Sequence, residues 1–210
     1  MSDYILKADS VAKNFGRRLI FRGINFQFSE NGVYGVSGPN GSGKSTLVKI
    51  IAGLSSPSEG KIIHNHNNNE IISEKLHNYI GFVSPYLVLY EEFSAWENLE
   101  FFARIRDVAF NKEKIETLLN DFLLYERRED LVKTYSSGMK QRMKFIFALM
   151  HSPNLVILDE PTSNLDEEGK NTVYKIVERE GKENIVIVAS NERSDLALCG
   201  ETILLEKFKQ

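Results

Sequence analysis

Hydrophobic positions in the first part of the chain fall in short, β-branched runs. Tyr4–Val11 and Ile20–Phe28 read as strands, and Asn31-Gly32 predicts a hairpin turn into a third strand, Val33–Val36. Glycines then cluster from Gly35 to Gly43. After them the apolar spacing changes to three and four, at Thr46, Leu47, Ile50, Ile51 and Leu54, which predicts a helix. Gly60–Ile63 and Glu70–Ser73 flank the polar run His64–Asn69 and predict a second hairpin with a solvated tip. From Ser94 to Ala148 the pattern is helical: Ser94 with Glu97 forms a capping box opening Ala95–Arg106, and Lys112–Leu124 and Gly138–Met150 follow. Two unbroken apolar runs, Leu155–Leu158 and Ile185–Ala189, enclose a helix over Glu167–Glu180, and Thr202–Glu206 is a last strand. Unbroken apolar strands alternating with helices belong to a parallel sheet covered on both faces.

Composition adds bounds. At 210 residues the chain is read as one globular domain, 1–210, with a helical part over about 86–150. A net charge of −3 gives no electrostatic reason for a nucleic-acid partner. One cysteine, Cys199, permits no internal disulfide and points to a reducing compartment. The start, MSDYILKADS, lacks the layout of a signal peptide, and the longest apolar run, FIFAL at 145–149, is too short to cross a bilayer. The expectation is a cytoplasmic protein that meets a membrane only through a partner. His64 and His66 lack acidic or cysteine partners at ligand spacing, which argues against a metal site there.

The candidate chemistry begins at Gly38-Pro39-Asn40-Gly41-Ser42-Gly43-Lys44-Ser45-Thr46, a match to G-x-x-x-x-G-K-[ST] between a strand and a helix. Glycines let successive N–H groups turn inward toward an anion, and the helix that follows adds the partial positive charge of its N-terminus. Lys44 is placed for the outer phosphates of ATP and the Ser45 hydroxyl for Mg²⁺. Asp159 ends a buried strand, where a carboxylate needs a cation, and the Mg²⁺ on Ser45 is the natural one. Glu160 then points to the terminal phosphate as the group that orients and polarises the attacking water.

Tyr135-Ser136-Ser137-Gly138-Met139-Lys140-Gln141-Arg142 resembles the signature of ABC-type ATPases, and it precedes the Asp-Glu strand and Ser163-Asn164-Leu165-Asp166 in that family's order. The resemblance covers essentially the whole chain. It implies a phosphate-loop NTPase core with a mainly parallel sheet, an N-terminal antiparallel β-subdomain and a helical signature subdomain. It also implies two subunits sandwiching two ATP molecules. Ser136, Ser137 and Gly138 would then face the γ-phosphate held by the other subunit, and Asp166 would couple the two sites. Phe15 matches the aromatic that stacks on adenine, with a core role as its competitor. The family role is an ATPase powering a separate transmembrane permease subunit, which docks near Tyr86–Glu97. The compact length and the YSSGMKQR form resemble exporter-type subunits, the haem-exporter ATPases of cytochrome c maturation among them. After its last strand the chain is expected to carry no regulatory extension.

Two positions depart from the family. Pro85 stands where related subunits carry Gln, with Ser84 as a possible substitute, and Asn191 stands where they carry His. Intact binding with slow hydrolysis is therefore expected, either in the chain itself or as the impaired half of a heterodimer. A regulatory nucleotide sensor and a soluble ABC ATPase without a transporter are the alternative readings.

Overall fold

The computed structural model describes residues 3–209. In chain order the elements are β1 (Tyr4–Phe15), β2 (Arg18–Phe28), β3 (Gly32–Ser37), α1 (Lys44–Ile51), β4 (Glu59–His66), β5 (Asn69–Glu70), α2 (Leu76–Tyr79) and β6 (Ile80–Val83). There follow α3 (Ala95–Ile105), α4 (Lys112–Asp121), α5 (Ser137–Leu149), β7 (Leu155–Asp159), α6 (Glu167–Glu183), β8 (Ile185–Ser190), α7 (Arg193–Leu196) and β9 (Glu201–Leu204). The fold class is α/β, as the pattern predicts. One sheet is antiparallel in the order β2-β1-β4-β5, and the other is parallel in the order β6-β7-β8-β3-β9.

The unbroken apolar strands serve two cores at once, because successive side chains of a strand point to opposite faces. From β7, Leu155 and Ile157 join a core shared with the antiparallel sheet, whereas Val156 and Leu158 join the helical side. Strand β8 divides the same way, with Ile185, Ile187 and Ala189 on the first face and Val186 and Val188 on the second. Helix α1 adds Leu47, Val48, Ile50 and Ile51 to the first core, and α3, α4 and α5 build the second. The capping box at α3 is formed: Ser94 Oγ accepts the Glu97 N–H at 3.1 Å, and the Glu97 carboxylate accepts the Ser94 N–H at 2.8 Å.

Several expectations are corrected. Asn31-Gly32 makes no hairpin: β2 lies in the antiparallel sheet and β3 in the parallel one, between β8 and β9. The dipeptide carries the chain from one sheet to the other, and local turn chemistry cannot reveal that. Helix α1 ends at Ile51 rather than reaching Leu54, because Gly53 takes a left-handed backbone (φ 72°) there. Helix α4 stops at Asp121, with Leu123 left-handed beyond it. Strand β1 continues past Val11 to Phe15 through a register shift at Ser10.

The second hairpin is present, but its tip is only Asn67-Asn68, both at positive φ. His64 is not part of that solvated tip. It is buried on β4, and its Nδ1 lies 2.7 Å from the Tyr4 hydroxyl. Burial pushes the His64 imidazole down to about 4. An unfolded chain binds a proton at His64 near pH 6.5, whereas the folded chain does so only near 4, so this contribution to stability is present above 6.5 and lost as pH falls. Between pH 7 and pH 5 the expected loss is about 2 kcal/mol, from the linkage relation. Urea midpoints at the two pH values measure it, and His64→Asn is expected to shrink the gap between them.

Candidate functional site

The C-terminal ends of β3, β7 and β8 lie side by side, with Ser37 opposite Ser190 and Asp159 opposite Ala189. Each strand therefore releases its next residues over the same edge, where open α/β sheets bind ligands. From β3 comes the glycine loop, from β7 Glu160, and from β8 Asn191. Strand β6 adds Pro85 from beside β7. A cleft of about 740 Å³ results, lined among others by Phe15, Asn40, Gly41, Gly43, Lys44, Ser45, Thr46, Pro85, Glu160 and Asn191.

The loop's backbone explains its residue types. Gly41 and Gly43 sit at φ 76° and 107°, and a Cβ on Gly43 would meet Ile20 Cγ2 at 2.5 Å. Pro39 supplies the carbonyl that accepts the Ser42 N–H at 3.0 Å, closing the turn, and Ser42 is buried. The Lys44 ammonium, 5% exposed, donates to the Gly38 carbonyl at 2.9 Å and lies 3.3 Å from Glu160 Oε1. It thus stands between the loop and the acidic residue, at the start of α1, where an anion gains from free N–H groups.

Asp159 is completely buried. Its Oδ1 accepts the Ser45 hydroxyl at 3.0 Å, and its Oδ2 has no hydrogen-bond partner among the described residues. Burial raises the carboxyl above its ordinary range; the Ser45 bond, Lys49 and Lys44 oppose the rise, while Glu160 adds to it. An orphaned buried carboxylate oxygen beside a hydroxyl is a fit for a hard dication that completes its shell with phosphate and water oxygens. Glu160 sits at φ 50°, an unusual angle for a residue with a Cβ, which turns its side chain out of the strand and over the cleft.

The remaining predicted residues fall as follows. Phe15 is 55% exposed at the end of β1, which removes it from the core; Lys13 approaches its ring at 5.1 Å to the centroid. Ser136, Ser137 and Gly138 start α5, with Ser136 Oγ accepting the Met139 N–H at 3.2 Å, and they do not line the cleft. Asp166 caps α6 through the Gly169 N–H at 2.9 Å and is also outside the cleft. Asn191 Nδ2 reaches Asn40 Oδ1 at 3.4 Å. Pro85 lines the cleft and lends its carbonyl to Lys144 at 2.8 Å. Ser84 does not take its place: it is buried, its Oγ accepts the Tyr86 N–H at 3.3 Å, and it is not part of the lining. Arg18, Tyr86 and Glu192 line the cleft as well, and no motif singled them out as ligands.

Comparison with known proteins agrees with this geometry. Residues 21–163 match the family model described as ABC transporter. The chain is 34% identical over 208 residues to YhcH of Bacillus subtilis, an uncharacterised ABC transporter ATP-binding protein, covering 98% of this chain and 68% of that one. It is 35% identical over 187 residues to the lantibiotic transport ATP-binding protein SrtF of Streptococcus pyogenes, covering 89% of this chain and 80% of that one. Among solved structures, the dimeric ABC transporter cassette MJ0796 superposes with a TM-score of 0.82 at 23% identity, over 95% of this chain and 93% of that one. The match over residues 21–163 and the identity to these ATP-binding proteins, in a chain that carries the glycine loop and the paired Asp159 and Glu160, place it in the ABC transporter family, as an ATP-binding member.

Proposed function

We propose that the cleft binds Mg²⁺ and ATP and hydrolyses the terminal phosphate to drive a separate transmembrane subunit. The observation that carries this reading is the convergence of Lys44, the Ser45–Asp159 pair and Glu160 on one edge of the parallel sheet. In it, the triphosphate lies along the glycine loop, Lys44 exchanges its contact with Glu160 for the outer phosphates, and Phe15 stacks on adenine. Ser45 and Asp159 hold Mg²⁺, which when bound neutralises charge on the phosphate oxygens. Glu160, released from Lys44, accepts a proton from the water that attacks the γ-phosphorus. The bond from that phosphorus to the β–γ bridging oxygen breaks, leaving ADP and inorganic phosphate.

Two copies are required in this reading. Ser136, Ser137 and Gly138 lie outside the chain's own cleft, which suits residues that meet the nucleotide of a second subunit. The free N–H groups at the start of α5 supply donors for its γ-phosphate, and in this reading Asp166, the cap of α6, couples the two sites. Among the described residues no helix is long and apolar enough to cross a membrane, so the permease is a separate segment or chain. An exposed apolar band, Tyr86, Val88, Tyr90, Phe93, Phe101 and Ile105, supports docking of that subunit beside the cleft. Export is the direction favoured by the form of the signature, Tyr135–Arg142. The cytoplasmic face of the membrane follows as the place of action.

Calorimetric titration of ATP with and without Mg²⁺ tests the reading. Saturable, Mg²⁺-assisted binding is expected, and Lys44→Ala should weaken it about tenfold or more, the worth of a charge-assisted contact. Binding that Lys44→Ala leaves untouched would place the nucleotide elsewhere. Pro85 and Asn191 favour a second version of the same function, in which binding is intact and turnover is slow or is completed by a partner.

A further inference from the structure

Asp195 lies on α7, just after β8, and does not line the cleft. It is 1% exposed, and three hydroxyls converge on its carboxylate. Thr162 Oγ1 approaches at 2.9 Å and 3.1 Å to the two oxygens, Tyr174 OH donates to Oδ1 at 3.0 Å, and Ser190 Oγ donates to Oδ2 at 2.7 Å. An ionised carboxylate is an acceptor only, so three O–H donors suit it and replace the water it loses. The donors come from functionally placed segments. Thr162 is two residues beyond Glu160, and Ser190 immediately precedes Asn191.

Ser190 has one proton and two carboxylates within reach. Its Oγ lies 2.7 Å from Asp195 and 3.4 Å from Glu160 Oε2, and it also accepts the Glu192 N–H at 3.1 Å. The shorter charge-assisted bond takes the proton. Ser190 therefore turns a lone pair, not a donor, toward Glu160. We propose that Asp195 is a positioning residue for hydrolysis: by claiming the Ser190 proton it keeps the Glu160 carboxylate clear of a competing donor, so that its acceptor capacity serves the attacking water once Lys44 has moved to the phosphates. The proposal rests on the reading of Glu160 as the group that polarises water.

Asparagine at position 195 reverses the arrangement. Its oxygen keeps the position that faces Tyr174 and Thr162, because two hydroxyls donate there. Its amide N–H then faces Ser190. Ser190 becomes an acceptor on that side and swings its proton to Glu160, with no movement of the backbone.

The test is single-turnover ATP hydrolysis at saturating Mg²⁺, with nucleotide affinity measured separately. Asp195→Asn should lower the rate about tenfold, a fraction of what a general base contributes, with Kd changed by less than about twofold. Adding Ser190→Ala removes the misdirected hydroxyl, so the double variant should regain most of the rate. A double variant slower than Asp195→Asn alone means that Asp195 is only a scaffold, and overturns the proposal. Hydrogen exchange in segment 160–166 gives a readout independent of activity. Exchange that rises in parallel with the lost rate also marks a scaffold. Should Asp195→Asn fail to fold, Ser190→Ala alone decides: a tenfold loss there shows that Ser190 donates to Glu160, and a small loss supports the proposal. A wild-type chain that binds ATP without any turnover overturns the hydrolysis reading and this proposal together. Normal turnover that Asp195→Asn leaves unchanged overturns this proposal alone.

Discussion

Glu160→Gln is expected to leave ATP binding in place and to cut hydrolysis by about a thousandfold, the middle of the range for a general base. The substitution keeps the shape of the side chain at its left-handed backbone position, since glutamine tolerates φ 50° as glutamate does. It removes the proton acceptor, and it removes the charge facing the Lys44 ammonium at 3.3 Å. In the nucleotide-free chain Lys44 keeps its bond to the Gly38 carbonyl at 2.9 Å, so the loop stays closed over it. The variant should thus bind ATP at least as tightly as the wild type, because Lys44 no longer has an anionic competitor to the phosphates. Phosphate release and nucleotide titration on the same preparation separate the two effects. With hydrolysis blocked, ATP should hold two copies together, seen as a mass doubling on size-exclusion chromatography with light scattering. Wild-type turnover in Glu160→Gln would show that water is activated by another group.

Restoring the two departing positions is the second large effect. Pro85→Gln with Asn191→His should raise turnover about a hundredfold, the lower end of what one well-placed donor is worth at a developing charge. Both residues line the cleft, on either side of Glu160: Pro85 from the end of β6, Asn191 from the end of β8. Proline offers no side-chain donor or acceptor, and the neighbouring Ser84 is turned away and bonded to the Tyr86 amide. Asn191 carries a donor, which reaches Asn40 at 3.4 Å, but no positive charge. The proline's structural contribution, a carbonyl accepting from Lys144, is a backbone one and survives replacement. Steady-state ATPase assays of the single and double variants check the expectation. A wild-type rate already equal to that of active ABC subunits, with Asn191→Ala harmless, would defeat it.

Most of the element list was legible in the sequence because periodicity reports which faces are buried. The split of Leu155–Leu158 and Ile185–Ala189 between two cores is the physical meaning of their unbroken hydrophobicity. The Ser94–Glu97 capping box was equally local and formed as written. Boundaries set by backbone sign, at Gly53 and Leu123, were less visible, since a left-handed residue stops a helix whatever its apolar spacing. The glycine loop, Lys44, Ser45, Asp159 and Glu160 were readable as a motif because their chemistry demands fixed residue types at fixed intervals along the chain.

Strand order was not readable. In the chain β3 comes first, then β6, β7 and β8; in space the order is β6, β7, β8, β3. That permutation brings Pro85, Glu160, Asn191 and the glycine loop to a single edge, and it sent Asn31-Gly32 between sheets instead of around a hairpin. The contacts concerned join residues more than a hundred positions apart, such as Ser45 with Asp159, and no local signal encodes them. Asp195 shows the same limit at short range. Its carboxylate gathers hydroxyls from β8, α6 and the loop after β7, a convergence that exists only once those segments have packed. The sequence by itself determined which residues are candidates to grip a triphosphate. The tertiary structure decided which of them share one cleft, because parallel strands are joined by crossovers and so can pair out of chain order.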